Sequence, residues 1–203
     1  MHVCAKTEKS AGDGAVTEPK MRWRRFAVLV LGLAILGRAA ADFKVADVQP
    51  KFADQSLVLA GNIDLSLTPQ VEEALSKGIP LDVVIEVRLY QYRRFLWDKR
   101  IATWSVHRSI QYHALSGQYL VSTGDPGMET RESLLTQQEA LKSLGSLNDL
   151  KLALTNVAPA ENYSVDVRAS LDIEALPTPL RPVAYTSFAW HLNSGWTTWK
   201  VAR

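Results

Sequence analysis

Between Tyr163 and Ala175 apolar and polar side chains trade places without a break. Tyr163, Val165, Val167, Ala169, Leu171 and Ile173 alternate with Ser164, Asp166, Arg168, Ser170, Asp172 and Glu174. A period of two belongs to a strand with one buried and one wet face, because successive side chains leave a strand on opposite sides. Leu81, Val83, Ile85, Val87 and Leu89 repeat the pattern against Asp82, Glu86, Arg88 and Tyr90, with Val84 as the exception. Arg100–His113 repeats it again, with Ala102, Trp104, Val106, Ile110 and Tyr112 on the inner row and only Arg108 out of place. Sheets wet on one face are antiparallel, since crossover helices bury both faces of parallel ones. Shorter strands are expected at Phe43–Gln49, Leu57–Leu67, Gln118–Ser122 and Leu150–Thr155, about seven in all.

Two short helices interrupt the strands. Thr68 with Pro69 behind it opens the first, which buries Val71, Ala74 and Leu75 and stops at Gly78. Thr136-Gln137-Gln138-Glu139 is a capping box and opens the second, with Ala140, Leu141 and Leu144 turned inward. The run Pro177-Thr178-Pro179-Leu180-Arg181-Pro182 reads as a rigid loop. The expected fold is mainly β (α+β): an antiparallel curved sheet or β-sandwich of about seven strands with two short helices.

The first 41 residues follow a different logic. Arg22, Arg24 and Arg25 precede the apolar run Phe26–Gly37, and small residues at Ala39 and Ala41 satisfy a cleavage requirement. Twelve apolar residues are too few for a bilayer core of about 30 Å, which takes about 20. The expectation is a signal peptide over 21–41, removed to leave Asp42 at the new N-terminus. Residues 1–20 are expected to be a disordered extension ahead of the true start, and 42–203 a single β-rich domain. Export to the periplasm follows; the alternative is anchorage to the inner membrane by an uncleaved segment. Cys4, the one cysteine, falls in the leader, so the exported part has no disulfide, lipid-bearing cysteine or thiol nucleophile. Residues 1–41 also hold seven of the 23 Lys and Arg but three of the 21 Asp and Glu, so the net charge of +2 becomes −2 after Asp42. A basic balance confined to a leader gives no reason to expect a nucleic-acid partner.

Several separated stretches are familiar together: Leu75–Leu81, Arg93–Asp98, Tyr112–Leu115, Leu176-Pro177, Pro179–Pro182 and Asn193–Trp196. In this order they resemble the bacterial family called domain of unknown function 4390, over nearly all of Asp42–Arg203. The resemblance implies an exported or membrane-associated protein, sometimes labelled a proline-rich signal peptide protein. It also implies a gene placed near a sensor kinase pair, and it implies no reaction.

The densest mixture of aromatic and cationic groups lies at the turn joining the two longest strands. Tyr92, Arg93, Arg94, Trp97, Asp98 and Arg100 suit stacking, anion capture or a protein hot spot, or else pad and solubilise a hairpin end. Trp196 and Trp199 join them as a candidate apolar surface, although tryptophans near a chain end often lock that end into a core. His107 and His113 are six residues apart, about 20 Å along a strand, and cannot share a metal. Ser194-Gly195 lacks the flanking glycine of a nucleophile elbow, and Glu72 and Glu73 are adjacent on a helix and diverge. No catalytic set, cofactor or metal site is expected. The reading is a non-catalytic binding module whose partner is an envelope protein or membrane-associated component. The alternative is a carrier of a small apolar ligand, with a cavity of roughly 300–1,000 Å³ between sheet and helices; a hydrolase is the weaker one.

Overall fold

A computed structural model describes residues 42–201, without 54, 96, 125–128, 149 and 155–161. The extension 1–20, the leader 21–41 and its cleavage residues Ala39 and Ala41 lie outside the described residues. Among those described, nine strands form two antiparallel sheets. One has the order β1 (Phe43–Ala53), β2 (Ser56–Leu65), β7 (Leu150–Ala153). The other has six strands, in the order β6 (Thr130–Leu134), β5 (Gln118–Thr123), β4 (Lys99–His113), β3 (Leu81–Gln91), β8 (Tyr163–Leu171), β9 (Thr197–Lys200).

The two long alternating segments lie side by side at the centre. Val83, Ile85, Val87 and Leu89 of β3 stand opposite Leu171, Ala169, Val167 and Val165 of β8, and the whole row is buried. β1 packs across β8 and β9, and the inner faces of both sheets share one core. β1 holds its alternation through a bulge: register shifts between Val45 and Asp47, so Phe43 and Val45, and then Val48, all reach the inner side. The other half of the large sheet is covered by helix α2 (Gln137–Gly145), which packs on β2, β4 and β5. Trp104 ties the halves together by donating its indole N–H to the carbonyl of Ala153 at 3.2 Å.

Both expected helix starts are present. In α1 (Pro69–Ser76) the Thr68 hydroxyl accepts from Val71 N at 3.3 Å, and in α2 that of Thr136 accepts from Glu139 N at 3.2 Å. Leu141 is half-buried rather than buried, because it faces a groove. Four expectations are corrected. The strands number nine, with β6 and β9 added. β8 stops at Leu171 and not at Ala175, since the Asp172 carboxylate accepts from the backbone N–H groups of Glu174 and Ala175 and turns the chain. β1 runs four residues past Gln49 to Ala53, paired throughout with β2. Arg181 and Pro182 belong to a third helix, α3 (Arg181–Thr186), rather than to a loop; Pro182 sits in its first turn, where no N–H is needed.

Candidate interaction surface

The β3–β4 hairpin closes with Gln91 opposite Lys99, and a bulge one step inside leaves Ile101 unpaired between Ala102 and Arg100. Beyond that pair the chain leaves the sheet. Phe95 is 90% exposed, Trp97 94% and Tyr92 57%. Arg94, Asp98, Lys99 and Arg100 are exposed and Arg93 half-buried, and the Arg94 guanidinium lies 5.7 Å from the Phe95 ring centroid. Tyr92 N donates to the carbonyl of Asn162 at 2.8 Å, which fastens the base of the hairpin to the start of β8.

Folding brings further groups to this end. Phe52, at the close of β1, meets the Tyr163 ring edge-on at 5.2 Å between centroids and stays partly exposed. Lys200, on β9 opposite Ser164, borders a groove of about 380 Å³ together with Tyr92. Sequence reasoning did not select Phe52 or Lys200; the pairing of β8 with β3 and β9 brings Lys200 to this end, and the packing of β1 on β8 brings Phe52.

The two tail tryptophans go elsewhere, and apart. Trp199 stands opposite Val165 on the inner side of β9, packed against the core. Trp196 lies over the outer face of the large sheet, 37% exposed, with the guanidinium carbons of Arg88 and Arg168 at 3.8 and 4.6 Å from its ring centroid. Arg168 also pairs with the Glu86 carboxylate across β8 and β3. Guanidinium groups stacked on indole hold the C-terminal segment against the sheet. The signal for this cluster was the alternation itself, which put Glu86, Arg88 and Arg168 on outer faces. Their convergence needs the strand register.

Ser194 accepts from Ala169 N at 2.9 Å and donates to its neighbour's carbonyl, so its hydroxyl is engaged in fastening backbone. Among the described residues no three His, Cys, Asp or Glu side chains converge as a metal site, and no helix is long and apolar enough to cross a membrane. A groove of about 820 Å³ does lie between β2 and the two helices, within the size a carrier requires. Its lining mixes Asn62, Asp64, Glu72, Gln137 and Lys142 with the half-buried Leu141, while Ile63 and Leu65 are buried in the core.

A family profile for a domain of unknown function, DUF4390, matches residues 40–200, which is both sheets and all three helices. The chain belongs to the DUF4390 family. No curated protein and no solved structure matches it. For this DUF4390 protein the surface chemistry is therefore the guide to function, and the most conspicuous surface is the hairpin tip.

Proposed function

We propose that this DUF4390 protein is an exported, non-catalytic binding module that presents the β3–β4 hairpin tip to another component of the cell envelope. The observation that carries this reading is the exposure of Phe95 and Trp97 among four cations, at a place where the core has no use for them. Exposed aromatic side chains beside Arg are the composition of binding hot spots, and two neighbouring rings left in water mark a surface that is completed by a partner. Export is supported by the three-zone leader, and the alternative of an uncleaved anchor is decided by the N-terminus of the chain recovered from the envelope. A start at Asp42 supports release; a start at or before Met21 supports the anchor.

Site-specific photocrosslinking in cells tests the surface. A photoreactive residue in place of Trp97 is expected to give adducts, and one at exposed Asn148, in a separate groove between α2 and β6, is not. Adducts at 148 with none at 97 would overturn the reading.

A further inference from the structure

We infer that the hairpin tip docks on an anionic bilayer surface, with Phe95 and Trp97 entering the headgroup layer and the flanking cations facing lipid phosphates. This rests on the reading of the tip as the binding surface and names what it binds.

Charge distribution is the first argument. Four of the 16 Lys and Arg from Asp42 onward, but one of the 18 Asp and Glu, lie within Tyr92–Arg100, so the tip carries +3 and the rest of the domain −5. None of these four cations is in an ion pair among the described residues. An anionic surface attracts each nearby Lys or Arg, and it orients a molecule polarised in this way with the tip toward it.

Shape is the second. Phe95 and Trp97, two of the three most exposed rings among the described residues, lie beyond the last strand pair, with cations before and after them in the chain. Tryptophan is enriched at the level of lipid headgroups, where ring and indole N–H meet apolar and wet surroundings together. A protein partner of ordinary size covers about 800 Å² per side, with its anchors in a flat, water-excluding patch. A projecting tip collared by charge matches a fluid interface better.

Phe188 supplies an internal control. It is 94% exposed, like Trp97, but is at the opposite end of the sandwich, near Leu192 and the end of β8. Its neighbours Thr186, Ser187, Ala189 and Trp190 carry no charge. Exposure alone would make Phe188 as good an anchor as Trp97; exposure with charge selects Trp97.

The test is sedimentation of the chain from Asp42, which contains both sheets and the whole core, with vesicles of phosphatidylglycerol and phosphatidylethanolamine or of phosphatidylcholine alone. Binding is expected to the anionic vesicles, weakened at 0.5 M salt, and little to the neutral ones. Phe95→Ser with Trp97→Ser is expected to weaken it roughly tenfold or more. Arg94→Gln with Arg100→Gln should weaken it about 25-fold, near fivefold for each cation. Phe188→Ser should bind as wild type does. Absence of binding to anionic vesicles, equal binding to neutral ones, undiminished binding by the tip variants, or loss in Phe188→Ser would each overturn the inference. The two proposals separate cleanly. Protein adducts at position 97 without vesicle binding would sink the bilayer and leave the tip as the binding surface, and loss of both would sink both.

Discussion

Arg108 is the one residue that breaks the inner row of β4, and it is buried there as the alternation requires. Its guanidinium donates to the carbonyls of Leu144, at 2.8 Å, and Ser146 at the end of α2. The last carbonyls of a helix have no partner within it and carry the negative end of its dipole, so a buried cation there does two tasks at once. Burial lowers the Arg108 pKa from the ordinary guanidinium value, and the contact with carbonyl oxygens opposes that cost. Arg108→Met keeps most of the apolar stem but leaves both carbonyls bare, and is expected to destabilise by about 2–3 kcal/mol in urea unfolding. Arg108→Lys retains a donor and should lose less; equal losses would show that the stem and not the charge matters. The anomaly was legible in the sequence, but its partner, some 36 residues away in a helix, was not. Asp82 makes the complementary case on the outer face. Burial raises its pKa first, Asp172 second, with Glu129 adding and His107 opposing. A carboxyl whose folded pKa is raised favours the protonated fold. Its contribution is complete below the ordinary carboxylate pKa and is lost as pH rises through the folded value. Asp82→Asn is therefore expected to raise the melting temperature at pH 7, with the gain vanishing in acid below about pH 3.8; a pH-independent gain would contradict this.

Elements were legible in proportion to how one-sided their surroundings are. β3, β4 and β8 each lie between a core and water at the middle of the large sheet, and their alternation announced them. β6 is an edge strand whose residues are almost all exposed, so it has no inner row to read. β9 has four residues and α3 six, too short for a period, and α3 begins inside a proline-rich run. The seam between α2 and β2 was also hidden, because close approach of two backbones is written in glycines rather than in a pattern. A Cβ on Gly145 would run into the carbonyl oxygen of Ile63, and one on Gly61, which has φ near +150°, into that of Asp47. Two residues past the helix, Leu147 N donates to Gly61 O at 2.8 Å. Gly145→Ala must push the helix end off β2, and is expected to cost about 1–3 kcal/mol. The same displacement disturbs the Arg108 contacts, so Gly145→Ala and Arg108→Met together should cost less than their sum by at least about 0.5 kcal/mol in a double-mutant cycle. Strict additivity would mean that the helix end shifts without moving the carbonyls that Arg108 holds.

At the scale of the whole molecule the strand directions sort the surface into two ends. β1 starts at Phe43, beside the tail, where the Asp42 carboxylate accepts from Asn193 N, and finishes at Ala53, one residue past Phe52, which lies beside the start of β8. Nine rises of about 3.3 Å separate Phe43 from Phe52 by roughly 30 Å. The aromatic turn was readable from sequence as a local cluster, whereas the tryptophan tail looked like a second half of the same surface. It is not, because Trp199 turns from β9 toward the core, while Trp196, just ahead of β9, lies over the outer face on Arg88 and Arg168. What folding adds is placement: the local excess of +3 in Tyr92–Arg100 stands at one end of a domain whose net charge is −2. Spread evenly, that charge would repel a sulfonated resin at pH 7; concentrated as +3 at a projecting tip, it lets the tip bind while the acidic remainder faces away. The chain from Asp42 is therefore expected to be retained on a cation exchanger at low salt despite its negative net charge. Arg93→Gln, Arg94→Gln and Arg100→Gln together should pass straight through. Their effect on thermal stability should stay within about 0.5 kcal/mol, since none of the three is part of the core. If three neutralised cations elsewhere, at Lys44, Lys77 and Lys142, abolished retention just as well, the polarity would be absent in solution, and with it the reason for assigning the tip an anionic surface.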